Sequence, residues 1–219
     1  MLSAMKKPSQ IAIKFCGITR PEDAEIACNL GVDALGLVFW KKSKRSLCDL
    51  GRAAEVAAAS YPLTTLTGLF VDADPAWIDS VCARIPLNIL QFHGSETPEY
   101  CSQFQRPFLR ALRMKEGLDL QTESARFDSA RGLLLDTYVS GSPGGTGEAF
   151  DWTRFPQTPN TRFVLAGGLN PSNVARAISV SGAQAVDVSG GIESAPGVKS
   201  AEQMRDFVCE VEAARRARE

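Results

Sequence analysis

Eight short apolar runs recur along the chain, at residues 11–18, 34–40, 64–71, 88–93, 108–114, 132–139, 162–166 and 183–188, with amphipathic or polar segments between them. Each run is apolar enough to be buried on both faces, as the strands of parallel sheets are. Strands that alternate with helices predict crossover units and a parallel sheet. Eight such units in 219 residues predict an α/β chain folded as a single-domain (β/α)8 barrel, near the short end of the range for that fold. An open doubly wound sheet is the rival. It would place a glycine-rich turn after the first strand, whereas here Gly167-Gly168 and Gly190-Gly191 follow the seventh and eighth, where barrels hold phosphate.

Helix-start chemistry recurs after the strands. Thr19-Arg20-Pro21-Glu22 reads as a capping box, and Asp74-Pro75, Thr97-Pro98 and Asn170-Pro171 each place a proline just inside a helix. Ile78, Val81, Cys82 and Ile85, and again Met204, Phe207, Val208 and Val211, form stripes at the spacing of one buried helical face. Residues 117–128 predict a polar helix. Residues 140–155, rich in glycine, predict a long functional loop with at most a short helix.

Composition removes several classes. Lys and Arg number 24 against 25 Asp and Glu, a net charge of -1, so no nucleic-acid partner is expected. The six cysteines lack any C-x-x-C pair and predict reduced thiols in a cytoplasmic protein. Residues 1–10 read as a flexible leader without a signal-peptide core, and no run approaches a membrane span, so no membrane partner is expected. One histidine and no paired ligand spacing argue against a metal, and Gly145-Thr146-Gly147 lacks the further glycine at Phe150 that a dinucleotide fingerprint needs.

In a barrel, chemistry is done by residues at the C-terminal ends of the strands. Here those are Cys16, the Lys42-Ser43-Lys44-Arg45 stretch, Gln91 and His93, Arg113, Asp136 and the glycine turns. Asp136 closes the run Gly132-Leu133-Leu134-Leu135; a carboxylate there is either functional or accepts backbone N–H groups of the next loop. Cys16 is either a small buried hydrophobe or a nucleophilic thiol whose thiolate the N–H dipoles of the following turn would stabilise. The paired glycine turns, with Asn170 and Ser189 beside them, read as an anion cradle or as plain tight turns. Arg45 either grips a carboxylate with both arms or belongs to a solvated rim, and His93 is a positioned hydrogen-bonding group, a proton carrier or a structural histidine.

Taken together, Phe15-Cys16-Gly17-Ile18-Thr19, Gln91-Phe92-His93-Gly94, Leu135-Asp136, Gly144-Gly145-Thr146-Gly147 with Phe150 and Trp152, Ala166-Gly167-Gly168-Leu169, and the stretch from Asp187-Val188-Ser189 to Gly197 resemble the phosphoribosylanthranilate isomerase family of tryptophan biosynthesis. The resemblance runs from Ile11 to about Val208. It implies a cofactor-free, metal-free Amadori rearrangement of N-(5-phosphoribosyl)anthranilate to the corresponding 1-deoxyribulose 5-phosphate, by a monomer or homodimer whose partner is this small phosphosugar. It also implies Cys16 as general base and Asp136 as general acid, with Arg45 meeting the anthranilate carboxylate. Gly168, Ser189, Gly190 and Gly191 would grip phosphate, and Gln91, His93, Gly144, Gly145 and Asp187 complete the substrate-binding set. Two departures stand out. Ser189-Gly190-Gly191-Ile192-Glu193 replaces a more usual Ser-Ser-Gly-Val-Glu, removing a hydroxyl from the phosphate region, and Lys44 stands where proline is common. The alternatives are another phosphosugar isomerase on the same barrel, or a non-catalytic phosphate-ligand or redox sensor.

Overall fold

In a computed structural model, which describes residues 10–137, 151–156 and 163–218, all eight runs are parallel strands. They are β1 (Ala12–Cys16), β2 (Ala34–Val38), β3 (Thr65–Phe70), β4 (Ile89–Phe92), β5 (Phe108–Arg113), β6 (Gly132–Asp136), β7 (Phe163–Leu165) and β8 (Ala185–Val188). Each pairs with the next, and β8 returns to β1 through Ala12 opposite Ala185 and Phe15 opposite Val188. The sheet is a closed barrel, which leaves no strand edge unpaired. The outer layer holds α1 (Pro21–Asn29), α2 (Leu50–Ala58), α3 (Pro75–Arg84), α4 (Pro98–Ser102), α5 (Leu120–Arg126), α6 (Val174–Ser181) and α7 (Ala201–Arg216). Between β6 and β7 the described residues contain only a 3-10 turn, Trp152–Arg154. None of the helices among the described residues is long and apolar enough to cross a membrane.

Side chains alternate between two environments along every strand because the pleat has period 2. On β1, Ile13 and Phe15 join the core between sheet and helices, where Phe15 meets the Phe207 ring of α7 edge-on at 5.9 Å. Lys14 and Cys16 alternate with them and face the barrel axis; Cys16 packs there with Val38 and Leu69. The same parity sends Leu133 and Leu135 outward and Asp136 inward on β6, and Val186 and Val188 outward and Asp187 inward on β8. The outer layer is apolar, and the upper interior is where polar groups collect.

Helix starts depart from expectation at two places. Thr19 does not cap α1; Arg20 occupies the cap position without a side-chain bond, because the Thr19 hydroxyl instead donates to the Gly197 carbonyl. Pro171 does not open a helix either. The Asn170 carboxamide accepts from the Ser172 N–H at 2.9 Å in a turn of its own, and α6 begins three residues later behind Asn173. Asp74 and Thr97 do cap α3 and α4, each with proline in the first turn. Both predicted stripes are core: Ile78, Val81, Ile85, Met204, Phe207 and Val211 are buried. The predicted polar helix is the short α5, with no fully buried residue. A short hairpin, β9 (Glu193–Ala195) with β10 (Val198–Lys199), was not expected; strands this short carry no periodic signal.

Because Phe15 has no exposed surface and Leu63 is 98% exposed, Phe15→Ala is expected to lower stability by about 3–5 kcal/mol. Leu63→Ala is expected to change it by less than about 0.5 kcal/mol. Equilibrium urea unfolding of both variants measures the contrast.

Candidate active site

The C-terminal ends of the strands surround a cleft of about 760 Å³. Cys16, Arg45, Gln91, His93, Asp136, Gly168, Asp187, Ser189, Gly190 and Gly191 all line it, so residues of β1, β4, β6 and β8 meet there with residues of the loops after β2, β4, β7 and β8. Gly144 and Gly145, and the rest of the 144–147 loop, lie outside the described residues. Arg113 stands apart from the lining; its guanidinium reaches toward the His93 carbonyl at 3.5 Å. Among the described residues, no group of three or more His, Cys, Asp or Glu side chains is gathered to hold a metal ion.

Cys16 ends β1 directly opposite Gly36 of β2. A Cβ at position 36 would lie 2.7 Å from the Cys16 sulfur, so only glycine leaves room for the thiol. The N–H groups expected to stabilise a thiolate are already used: Gly17 and Ile18 both donate to the Gly36 carbonyl, at 2.9 and 3.0 Å. The register of β1 on β2 imposes this. What reaches the sulfur is charge from side chains. Burial pushes the Cys16 thiol above its ordinary pKa, and Asp187 adds to that, while the Lys14 and Lys199 ammonium groups oppose it.

Asp136 ends β6 with both carboxylate oxygens engaged. Oδ1 accepts from the Thr137 N–H at 2.9 Å, and Oδ2 lies 3.1 Å from His93 Nε2. Gln91 Nε2 lies 3.3 Å from the other ring nitrogen, His93 Nδ1, so β4 and β6 are joined by a chain of hydrogen bonds from Gln91 to Asp136. The carboxylate therefore both takes a backbone bond from its loop and presents itself to the cleft. His93 is a positioned hydrogen-bonding group, fixed from both sides.

Arg45 is not part of a solvated rim. Its Nε and NH2 donate to the two oxygens of Glu193, both at 2.6 Å, the two-armed geometry that guanidinium and carboxylate favour. Glu193 Oε1 also accepts from Lys199 Nζ at 2.9 Å, and that ammonium bonds the Cys16 and Ser189 carbonyls at 2.7 and 3.0 Å. Burial works against the Glu193 carboxylate, yet Arg45 and Lys199 hold its pKa below the ordinary value; burial pulls Lys199 below its own. Glu193, Lys199 and Lys14 were not singled out from the sequence. Lys14 had a usable signal, since it sits two residues before Cys16 and so shares its face of the strand.

The glycine turns meet. A Cβ at Gly191 would lie 1.9 Å from the Leu169 carbonyl oxygen, so the Gly190–Ile192 turn packs its backbone directly on the loop after β7. Gly167 and Gly168 both adopt positive φ, 79° and 65°, where glycine carries no strain.

Comparison with known proteins bears on the family and the fold. A family model described as N-(5'phosphoribosyl)anthranilate (PRA) isomerase matches residues 13–210. A relative from Cellvibrio japonicus (strain Ueda107), named N-(5'-phosphoribosyl)anthranilate isomerase, is 52% identical over 196 residues, which cover 90% of this chain and 91% of the relative. The crystal structure of phosphoribosyl anthranilate isomerase from Thermotoga maritima is similar with a TM-score of 0.84 at 33% identity, covering 93% of this chain and all (100%) of that one. Another solved structure of such an isomerase, in complex with reduced 1-(o-carboxyphenylamino)-1-deoxyribulose 5-phosphate, is similar with a TM-score of 0.78 at 31% identity, covering 93% and 100% of the two chains.

Since burial raises the Cys16 pKa, the thiolate fraction at neutral pH is small and grows about tenfold per pH unit until that pKa is passed. Alkylation of Cys16 by iodoacetamide, followed by peptide mass, is expected to rise with pH to a midpoint above that of a free cysteine thiol. A midpoint at or below the free value would contradict the assigned environment.

Proposed function

The chain belongs to the N-(5'-phosphoribosyl)anthranilate isomerase family, and from that premise we propose how its residues perform the reaction. Its activity is the isomerisation of N-(5'-phosphoribosyl)anthranilate in tryptophan biosynthesis. The reaction turns an aldose amine into a ketose amine and needs only proton transfers, so two groups of opposite role are required. What supports the assignment most is that Cys16 and Asp136, from β1 and β6 of the barrel, line the same cleft.

Asp136 in its protonated form donates to the furanose ring oxygen. The C1–O bond breaks, and the nitrogen lone pair forms the C1=N bond of a Schiff base. Cys16 as thiolate then takes the proton from C2; the C–H electrons become a C1=C2 bond, the C=N pair returns to nitrogen, and an enolamine results. Moving the enol proton from oxygen to C1 yields the ketone. A positioned acid and base contribute ~10² to 10⁴-fold each. The hydrogen bond from His93 keeps the Asp136 carboxyl aimed while the proton leaves, with Gln91 fixing the imidazole.

The remaining roles are positioning. Gly168, Ser189, Gly190 and Gly191 hold the phosphate at the rim through backbone and hydroxyl groups, as the close packing of the two turns favours. Phosphate binding far from the reacting carbons supplies binding energy that holds the sugar in place. Glu193 uses the Nε and NH2 nitrogens of Arg45, which leaves NH1 to meet the anthranilate carboxylate. The resemblance assigns Gly144 and Gly145 to substrate binding as well, and Asp187 lies beneath the sugar. Every group invoked comes from one chain, so the scheme serves a monomer or a homodimer in the cytoplasm.

Loss of anthranilate fluorescence after forming the substrate in situ measures turnover without added metal or nucleotide. Asp136→Asn and Cys16→Ala are each expected to reduce kcat by roughly 10²-fold or more, with melting temperatures close to wild type. Near-normal turnover in either variant would remove that residue from its role, and inactivity of the folded wild-type chain would remove the scheme.

A further inference from the structure

One charged side chain inside the barrel is used neither by this scheme nor by the packing. Lys14 precedes Cys16 by two residues on β1 and is 6% exposed. The β1–β8 register sets it opposite Asp187, and its Nζ donates to Asp187 Oδ1 at 2.7 Å. A buried ion pair is weak support for stability, since an apolar pair of similar volume does as well or better. The opposite side of the barrel interior shows the apolar solution, with Ala111, Leu134 and Ala166 packed together. A charged pair just beneath Cys16 therefore calls for a chemical reason.

Gly36 indicates what the ammonium faces. The space over its Cα is bounded by the Cys16 sulfur at 2.7 Å and Lys14 Nζ at 3.1 Å from the place a Cβ would occupy. Sulfur and ammonium thus border one small gap kept open by a glycine. An ammonium has three N–H donors, and one is used by Asp187, so another is available to a sulfur lone pair. The other charges around Cys16 are Asp187 from β8, Lys199 from β10 and Arg45 from the loop after β2. Lys199 and Arg45 are both tied to Glu193. Lys14 is the cation that burial, Asp187 and Cys16 together leave with a pKa above the ordinary lysine value, so it stays charged across the working range.

We propose that Lys14 is the positioning residue of the base: its ammonium, anchored by Asp187, stabilises the thiolate form of Cys16 that accepts the C2 proton. This rests on the assignment of Cys16 as general base. Lys14 exchanges no proton with substrate. The thiolate pair forms the new S–H bond, and the ammonium lowers the cost of the negative charge before that bond exists. Asp187 keeps the ammonium in place, and on this view it serves the base more than the sugar.

The test is the pH profile of Cys16 alkylation by iodoacetamide, read on the Cys16 peptide, together with kcat and KM. Lys14→Met is expected to move the alkylation midpoint upward by about one pH unit or more, so that the rate at neutral pH falls about tenfold or more. The kcat should fall in parallel, recover partly at higher pH, and leave KM within about threefold. Lys14→Arg keeps the charge and should restore most of the wild-type alkylation profile. If Lys14→Met does not fold because Asp187 is left unpaired, Lys14→Met with Asp187→Asn removes both charges and should show a smaller upward shift, because Lys14 lowers the Cys16 pKa by more than Asp187 raises it. An unchanged alkylation midpoint in a folded Lys14 variant overturns the proposal, whatever its activity. Retained activity in Cys16→Ala would instead overturn the base assignment, an outcome the alkylation profile does not depend on.

Discussion

The β1–β8 ladder closes the barrel, and the molecule depends on that closure. Without it the two ends of the sheet would each expose a row of backbone N–H and C=O groups. The inward side chains of β1 and β8 would then face water rather than each other. With it, Lys14 and Asp187 meet across 173 residues of sequence, and Cys16 sits above them in an interior where charges interact more strongly than at a surface. The period-2 alternation that makes β1 half apolar core and half active-site floor follows from the same sheet, since a slip of one residue would exchange the two faces.

A second layer of constraint lies above the strands. The Glu193 carboxylate joins Arg45 from the loop after β2 to Lys199 of the hairpin after β8. Lys199 in turn holds the carbonyls of Cys16 and Ser189. Surface ion pairs are worth about 0–1 kcal/mol, whereas removing one partner of a buried pair costs about 3–5 kcal/mol. The side chain of Lys199 is fully buried and that of Glu193 is 5% exposed, so this network belongs to the second class. It fixes the end of β1, Ser189 and Arg45 as one unit at the rim of the cleft. Sites that must hold atoms to within fractions of an ångström are built in this way, by fixing the groups that hold the catalytic side chains.

Cys16 and Asp136, the proposed base and acid, have different surroundings. Cys16 lies among apolar side chains and compensated cations, with no free backbone donor from the following turn, because Gly17 and Ile18 bond Gly36. Asp136 lies among hydrogen-bonding groups, Thr137 N–H on one oxygen and His93 on the other. Separating the environments of two titratable groups is how one cleft supplies both a proton donor and a proton acceptor. Here the separation is a matter of strand position: β1 abuts the charged pair of the closing ladder, whereas β6 pairs with β5 and β7 and reaches the histidine of β4 across the barrel interior.

The sequence by itself determined the eight strands and their parallel arrangement, because apolar runs short enough for strands and alternating with helical segments are a local pattern of residue types. Position at strand ends then singled out Cys16, Gln91, His93, Asp136 and the glycine turns, all of which line the cleft. Two prolines in helix first turns were legible for the same local reason, while Thr19 and Asn170 were misassigned because distant or turn partners claimed their side chains. Only the tertiary structure decided who bonds whom. Arg45 with Glu193, Lys199 with the Cys16 carbonyl and Lys14 with Asp187 are separated by 148, 183 and 173 residues. No local pattern encodes such pairs; they exist because a closed barrel brings the first strand, the second loop and the last hairpin to one point, where buried charges must find partners.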